Sequence, residues 1–553
     1  MMDCTGIKKE RIEEILFLGA VLSISFCLMF YNIGLPGMFN DEALDINDTM
    51  QLVAWGELRY PSRKPLYLLG KAYPIMLSET MGPIYMYSVL PFYYIFGVGL
   101  LAARLLPITF GLATLILNFQ LGKALFSRRV ACISTALLSV FPSFVQWTRI
   151  GVFCTSILNF LTMGTLVFLF RWVRTSRTRF LLLTALFVGL GFSSKANYYW
   201  FTVDLIILYL LWRPRLRPTL SQVILSALVF VIGAFPFILY NTVIDPLATP
   251  RFAIANLNTS VYGTSNIELP KNLLMRMSQF TVLLEGSTFS GVVGTNISNP
   301  LYPVTFGILT IGLVMTFARK SADPARKKRG MVICLLLVLL LLESLYTTSN
   351  FGMHHLIIIM PLPQLIVAEA LDITLFRRLM PLERTRTRAH RRRALFMAGL
   401  VLVVILIGAD LSVNIEYHRS LQRTGGVGLF SDAVYDLANY CVRFNISRPI
   451  AVDWGFSQLG VLTGGKVYPE EIFGYPDWKG FVDASTFIKT VQACLANASN
   501  IYLFHTPAYT TIRGLDRFAQ FQEIATRMNK TLVLLKVFCQ RDGRPVILVY
   551  QAV

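Results

Sequence analysis

The chain has 553 residues, of which 54% are hydrophobic and only 15% are charged. A soluble globular protein needs more polar residues than this to cover its surface, so the composition indicates an integral membrane protein. The formal net charge of +20 is concentrated in short loops between apolar segments. We interpret it as a signal of membrane topology, which argues against nucleic-acid binding.

Apolar segments long enough to cross a bilayer recur from the N-terminal region to residue 411. A helix needs about 20 apolar residues to span the hydrocarbon core. No A-x-A-like cleavage site follows the first segment, so we expect a retained membrane helix rather than a signal peptide. The sequence predicts a polytopic α-helical membrane protein with about 11–13 transmembrane helices. Eleven are placed at residues 14–34, 105–122, 130–147, 151–170, 180–194, 198–212, 220–240, 301–318, 331–348, 355–371 and 394–411.

The orientation of the chain follows from its basic loops. Short cytoplasmic loops are enriched in Lys and Arg, which here places the N-terminus in the cytoplasm. The first loop (residues 35–104), the loop 241–300 and the C-terminal region are then exoplasmic. More than half of the Lys and Arg residues lie in the loops 1–14, 121–130, 171–179, 213–217, 319–329 and 377–393.

One apolar stretch, Gly82 to Gly99, does not fit this alternation, because a crossing there would put every later basic loop on the wrong side. Its Tyr and Phe residues are typical of interfacial helices. We predict that it lies at the outer interface or dips into it. A tight hairpin through residues 98–106 is the alternative.

The C-terminal region differs in character from the rest of the chain. We divide the chain into a membrane domain, residues 1–412, and an exoplasmic α/β domain, residues 413–553. Short strands are predicted in RPIAVDWG, SNIYLFHT, KTLVLLKVFCQ and RPVILVYQAV, with RDGRP as a hairpin turn and helical patterns between the strands. Its three Cys residues show no close pairing, so we predict neither a disulfide framework nor a metal site of the CxxC type.

Four carboxylates, Asp41, Glu42, Asp45 and Asp48, lie just after the first apolar segment. Acidic residues at a membrane surface commonly cap helices, and we favour that explanation for Asp45 and Asp48. Asp41 and Glu42 are adjacent, where the chain leaves the first helix. A carboxylate held there can act as a general base toward a hydroxyl group.

Basic residues are few in the loops that we predict to be exoplasmic, so those that lie in or next to these loops are candidates for binding an anion. Each one taken singly is equally typical of a side chain that reaches for lipid headgroups. Together they offer the cations that a phosphate leaving group needs. These residues are Arg59, Arg63, Lys64, Lys71, Arg149, Lys195, His354 and His355.

An apolar bundle with exoplasmic acids and cations suits a substrate that is part lipid and part phosphate. ATP and nucleotide sugars are not expected on that side of the membrane. A polyprenyl-phosphate sugar fits, because its tail can lie against the helices and its phosphate against Arg and Lys. Its anomeric carbon can then lie near the carboxylate.

Four motifs in order resemble the GT-C glycosyltransferases of the protein O-mannosyltransferase and aminoarabinose-transferase group. FNDEALDINDTMQL is similar to the Asp-Glu motif of their first exoplasmic loop, and SETMGPIYMYSVLPFYYIFG to their Glu-Lys-Pro-Pro-type stretch. LAARLLPITFGLATLILNFQLGKALFSRRVA and MHHLIIIMPLPQLIVAEAL resemble two later segments. The resemblance covers residues 30 to about 372.

This resemblance implies transfer of a sugar from a polyprenyl-phosphate carrier to a hydroxyl group, with inversion at the anomeric carbon. Asp41 corresponds to the general base, and Glu42 would orient the acceptor or support Asp41. The donor phosphate would be held by Arg149, Lys195, His355 and Lys71. Glu79, Arg59 and Tyr85 are the remaining predicted substrate-binding residues.

Two departures from the family pattern bear on these roles. No acidic residue follows Arg149 closely, which weakens a metal-dependent mechanism, so we expect no cofactor, while a divalent metal stays possible. Glu79 is followed by Thr80 rather than Lys, so Lys71 or Lys195 would have to replace the expected phosphate-binding Lys.

Alternatives remain at this stage. A transporter or flippase for a lipid-linked substrate is the main one, although internal repeats are not evident and such a protein has little use for a large exoplasmic domain. An enzyme that moves whole oligosaccharides is another. The acceptor is open among a glycolipid such as lipid A, a cell-envelope glycan and a protein. A bacterial inner (plasma) membrane is the expected location.

Overall fold

The structure is a computed structural model that describes residues 4–212, 217–260, 264–319, 323–347, 352–377, 386–472, 484–510 and 516–553. Helices dominate the chain before residue 425, and each predicted crossing coincides with a helix or a pair of helices. Their bounds are Cys4–Phe30, Leu100–Leu125, Arg128–Val140, Pro142–Ile150, Thr155–Thr175, Thr178–Phe192, Asn197–Trp212, Leu220–Leu239, Leu301–Ala318, Pro324–Glu343, Met353–Ile359, Pro361–Leu371 and Arg386–Thr424.

Six of the described helices are long and apolar enough to cross a membrane, or up to eight spans if each of two bent pairs counts as one. Thr178–Phe192 and the apolar part of Asn197–Trp212 are shorter, and Pro324–Glu343 begins with several basic residues. The predicted class of polytopic helical membrane protein is therefore confirmed, while the number of eleven crossings stays a prediction.

Two of the predicted crossings are broken by proline. Arg128–Val140 and Pro142–Ile150 meet at 58°, and the pair that begins with Met353–Ile359 and continues from Pro361 bends by 47°. Proline lacks a backbone N–H and clashes with the preceding turn, so a helix ends before it and a new one starts with it. Arg149 and His355 lie on the short arms of these broken helices.

The first loop is folded. It contains the helices Asn40–Leu44 and Asn47–Trp55, a hairpin of the strands Leu66–Leu68 and Lys71–Tyr73, and the helices Ile84–Ser88 and Leu90–Phe96. The stretch Gly82 to Gly99 is thus a pair of short helices, and the next helix begins at Leu100. The predicted position of Gly82 to Gly99 at the outer interface stays a prediction. After residue 240 the helices Ala248–Ala255, Leu269–Leu284 and Ser290–Val293 fill the second long loop.

The C-terminal region forms the predicted mixture of helices and strands. One sheet contains, in spatial order, Glu470–Glu471, Ile450–Ala451, Ile501–His505, Pro545–Ala552 and Leu532–Cys539; the first three are parallel and the last two antiparallel to their neighbours. The predicted hairpin at RDGRP joins the last two strands in sequence. The helices are Ala433–Arg443, Gln458–Leu462, Ala484–Leu495 and Arg517–Arg527. The α/β character is confirmed.

The C-terminal region packs directly on the first loop. The rings of Phe39 and Phe430 stack at 4.2 Å, and Asn47 donates to the Tyr468 hydroxyl at 3.1 Å. A Cβ added at Gly37 would lie 2.1 Å from the carbonyl oxygen of Ser431, so this close approach requires glycine. The helix Arg386–Thr424 runs through residue 412 without a break, and the domain boundary proposed there stays a prediction.

Candidate active site

Glu42 is held by a buried ion pair. Arg104 Nε donates to Glu42 Oε2 and Arg104 Nη2 to Glu42 Oε1, both at 2.9 Å, and the Phe39 backbone N–H donates to the same carboxylate at 2.9 Å. Arg104 also donates to the carbonyl oxygen of Ile33, in the turn that follows the first helix. Burial raises the pKa of Glu42, while Arg104 opposes that shift. This geometry fixes the start of the first loop.

Arg149, on another helix, also binds the segment that follows the first helix. Its Nη2 donates to the carbonyl oxygens of Tyr31, Asn32 and Leu35 at 3.0, 2.8 and 2.7 Å, and its Nη1 lies 3.1 Å from His418 Nδ1. The side chain is fully buried. Both terminal nitrogens of Arg149 thus contact protein groups. The predicted contact with a donor phosphate is not tested by this arrangement.

Asp41 is the next residue to Glu42 and is surrounded very differently. Its side chain is 6% exposed, and within the described part of the chain no group donates a hydrogen bond to its carboxylate. Burial raises the pKa of Asp41 well above its ordinary value, the like charge of Asp45 adds to this, and the charge of Lys195 opposes it. Its oxygens can therefore still accept hydrogen bonds.

Lys195 connects this carboxylate to the rest of the bundle. It lies between two helices, in a segment held by the first loop: Ala196 N–H donates to Thr80 at 2.8 Å and Gly82 N–H to Ser194 at 3.0 Å. A Cβ at Gly82 would lie 2.2 Å from the Ser193 carbonyl oxygen, so glycine allows this pairing.

The Lys195 ammonium group is buried beside a histidine and near two acids. Its Nζ donates to His355 Nδ1 at 3.3 Å, and the charges of Asp45 and Asp41 act on it. Burial lowers the pKa of Lys195 to about 8, against the effect of these acids. Asp41, Lys195 and His355, which were predicted from separate segments, thus meet in one cluster.

Asp45 belongs to this cluster, although we expected it to be only a helix cap. It is 3% exposed, and its Oδ2 accepts the Cys154 backbone N–H at 3.0 Å. Cys154 precedes the helix Thr155–Thr175, so Asp45 caps a helix more than 100 residues away rather than its own. Tyr85, 3% exposed, lies close enough for the charge of Asp45 to act on it.

The other predicted site residues lie in different surroundings. Glu79 pairs with Arg63 at 3.0 Å. Arg59 is exposed, pairs with Glu57 at 2.7 Å and lies over the ring of Trp55. Lys71 is exposed on the hairpin of the first loop. Their predicted roles in binding substrate are not tested by this arrangement.

Arg104 is a structural determinant of the site that the sequence reasoning missed. It stands in LAARLLP, inside an otherwise apolar segment. A charged residue in so apolar a stretch is costly unless it has a partner, so its position was a usable signal. Within the described ranges, no group of three or more His, Cys, Asp or Glu side chains is arranged to hold a metal ion.

Residues 80–240 match the model of a family described as dolichyl-phosphate-mannose-protein mannosyltransferase. The predicted family resemblance is confirmed over these residues. The matched region contains Tyr85, Arg149 and Lys195, whereas Asp41, Glu42 and His355 lie outside it. A comparison with curated proteins finds no match.

Two crystal structures of ArnT from Cupriavidus metallidurans are similar to the whole chain. The apo structure has 11% identity and a TM-score of 0.61, and the comparison covers 98% of each chain. The structure bound to undecaprenyl phosphate has 12% identity and a TM-score of 0.59, with 99% of this chain and 98% of that chain covered. The predicted GT-C-like membrane fold with a C-terminal α/β region is thereby confirmed.

Proposed function

We propose that the chain is a glycosyltransferase that moves a sugar from a polyprenyl-phosphate carrier to a hydroxyl group of an acceptor, with inversion at the anomeric carbon. The observation that carries the proposal is the buried Asp41 carboxylate, which has no hydrogen-bond donor among the described residues and has the Lys195 charge nearby. An unpaired buried acid is costly to a fold, so its presence favours a chemical role.

In the proposed reaction Asp41 accepts the proton of the acceptor hydroxyl group while the hydroxyl oxygen bonds to the anomeric carbon. The bond between that carbon and the phosphate oxygen breaks on the opposite face, and its electron pair stays on the phosphate. Lys195 meets the charge that develops there. A phosphate that is stabilised in this way leaves without a general acid.

The donor class is supported by the family match and by the fold. The family model is described by a dolichyl-phosphate donor, and one similar ArnT structure holds undecaprenyl phosphate. We assign the donor phosphate to the side of Lys195 and His355. For Arg149 to join them, its terminal nitrogens would have to leave the carbonyl oxygens that they now contact.

The proposal also includes the membrane location of the chain and the class of its acceptor. We place the chain in the bacterial inner membrane on the basis of the family resemblance. The basic loops favour a cytoplasmic N-terminus and an exoplasmic C-terminal region. The acceptor is a hydroxyl-bearing glycolipid, cell-envelope glycan or protein. We expect no cofactor to be required, and the chelator reaction described below tests whether a divalent metal takes part.

The test is transfer of radioactive sugar by the purified protein in proteoliposomes. A panel of labelled polyprenyl-phosphate sugars is incubated with membrane extract, and lipid, glycan and protein fractions are separated. The expected result is label in one fraction with wild-type protein and with Glu57→Gln, an exposed acid of the same loop, but not with Asp41→Asn. A parallel reaction with a metal chelator tests metal dependence.

Absence of transfer from every donor would overturn the proposed reaction. Equal transfer by Asp41→Asn and wild type would leave the reaction standing and remove Asp41 as its base. Full transfer in the chelator agrees with metal-independent chemistry.

A further inference from the structure

The hairpin of the first loop exposes apolar side chains at its tip. Its strands pair Leu66 with Tyr73 and Leu68 with Lys71, which leaves a two-residue turn. We call residues 67–69 the hairpin tip. Tyr67, Leu68 and Leu69 are 72%, 55% and 96% exposed. Consecutive large apolar side chains on a protruding turn are unfavourable in water and mark a contact surface.

The backbone conformation of the turn does not explain why Leu occupies position 69. Leu69 has φ of +51° and Gly70 has φ of +76°. A two-residue turn with positive φ at both positions favours Asn or Asp followed by Gly, since Asn tolerates the left-handed region and a bulky apolar residue resists it. Leucine is therefore an unfavourable residue for this turn, and its apolar side chain requires another explanation.

The base of the hairpin lies at the end of a membrane helix. Leu66, Ile75 and Met76 pack with Tyr240 and Ile244, which directly follow the helix Leu220–Leu239. This contact places the hairpin beside the point where that helix leaves the bilayer.

Exposed apolar side chains continue from that helix toward the hairpin. Ile232 and Phe235, on the helix, are 69% and 53% exposed, as expected of a surface that faces lipid. Val243 and Leu247, just beyond the helix, are 65% and 60% exposed. Exposed apolar side chains are thus present on both elements that meet at the base of the hairpin.

Basic residues accompany the tip. Lys71 follows the turn directly and is exposed, and Lys64, just before the hairpin, lies 3.6 Å from Asp245 beyond the same membrane helix. Apolar side chains below a Lys are the usual arrangement at a bilayer surface, because the aliphatic part enters the lipid while the ammonium group stays at headgroup level.

We infer that the hairpin tip inserts into the bilayer leaflet on the side of the first loop, with Lys71 at the level of the lipid phosphates. The insertion anchors the loop that carries Asp41. It also assigns Lys71 to the phosphates of bulk lipid at the membrane surface, apart from the Lys195 cluster. The inference rests on the membrane location of the chain and is independent of the proposed reaction.

The test is photo-crosslinking of the full chain in proteoliposomes of phosphatidylethanolamine and phosphatidylglycerol. The photoreactive residue p-benzoylphenylalanine is placed at Leu69, and in a matched control at Phe444, an exposed apolar residue of the C-terminal region. Mass spectrometry of the irradiated protein is expected to show at least fivefold more lipid adduct at position 69. Equal yields at the two positions, or crosslinks from position 69 to a second copy of the chain, would overturn the inference.

A second pair of variants isolates the role of Leu69. The photoreactive residue is moved to Tyr67 and combined with Leu69→Asn or Leu69→Met. Asn suits the turn better than Leu, so the hairpin is retained while the apolar tip is lost. The lipid adduct at position 67 should fall at least threefold with Leu69→Asn and stay unchanged with Leu69→Met. An undiminished adduct with Leu69→Asn would contradict anchoring by this side chain.

Discussion

Asp41 and Glu42 are neighbours in one short helix, yet their surroundings differ in kind. Glu42 receives two hydrogen bonds from Arg104 and one from the backbone of Phe39. Asp41 receives none from the described residues and has both the like charge of Asp45 and the opposite charge of Lys195 close by. A fully paired buried acid serves the fold, and an unpaired one is expected where chemistry takes place.

The strongest test of this difference is the Asp41→Asn substitution. We expect turnover to fall by about 10²–10⁴-fold, the usual contribution of a general base, because an amide cannot accept the proton. Thermal stability should stay the same or rise, since the variant removes an unpaired buried charge. Transfer assays and thermal unfolding in detergent measure the two effects. A loss of stability together with activity would place Asp41 with Glu42 as a residue of the fold.

Arg104→Met should act in the opposite way, on stability first. It leaves the Glu42 carboxylate buried without its partner, which typically costs about 3–5 kcal/mol. The double variant Arg104→Met with Glu42→Gln should recover part of this loss, because the second change removes the uncompensated charge. Thermal unfolding of both variants decides the matter, and equal stabilities of the two would contradict a mutual dependence of these side chains.

Lys195→Arg tests the charge near Asp41 through pH. The pKa of Lys195 is lowered to about 8, so its positive charge is lost as pH rises through that value. The rate should therefore fall above pH 8 in the wild type. At pH 9 only about a tenth of Lys195 is charged, whereas arginine stays protonated.

The ratio of the rates at pH 9 and pH 7 should then be up to about tenfold higher for Lys195→Arg than for the wild type. On the acidic side, the rate should rise with pH through a pKa above the ordinary value for Asp, because Asp41 must lose its proton to act as a base. Identical pH profiles for Lys195→Arg and wild type would exclude the Lys195 charge from the rate-limiting step.

Arg149→Lys tests whether Arg149 acts in the fold or in binding the donor. A lysine cannot reproduce the contacts of the planar guanidinium group with three carbonyl oxygens and His418, so we expect a loss of about 1–3 kcal/mol in stability. At a temperature where the variant is folded, the KM for the donor separates the two roles. An unchanged KM means that Arg149 acts only in the fold.

The smallest effect is expected for Glu57→Gln. The pair of Glu57 with Arg59 is exposed, with 62% and 52% of the side chains accessible to solvent. Exposed ion pairs contribute little, so the change in stability should be less than about 0.5 kcal/mol. Thermal unfolding checks this, and a larger loss would mean that the first loop is held by its surface charges as well as by Arg104.

Much of the fold was predictable because it depends on local patterns. Every predicted crossing is helical, and the final hairpin has its turn at RDGRP, since apolar length and alternation are read within one segment. The angles of the two bent helix pairs were harder to predict. A proline within an apolar run breaks the helix, but the 58° angle that brings Arg149 to the end of the first helix depends on how the two arms pack.

The candidate site was predictable in part. Asp41, Lys195 and His355 were all predicted, because charged and titratable residues in the predicted outer loops are conspicuous in so apolar a chain. In the structure they meet. Asp45 was not recognised as a member of the cluster, since its partner, the Cys154 backbone N–H, is 109 residues distant. Local pattern offered only the common explanation of a cap on its own helix.

By itself the sequence determined the membrane class, the helices of the membrane domain, four strands of the C-terminal region, and the segments that carry acids and cations. These properties follow from hydrophobic length, periodicity and charge, which each segment has before it packs. Only the tertiary structure decided which of two adjacent acids is paired. Arg104 is 62 residues from Glu42, and Lys195 and His355 are 160 residues apart. The packing of the helices decides which charges neutralise one another, and this pairing cannot be inferred from any short stretch of sequence.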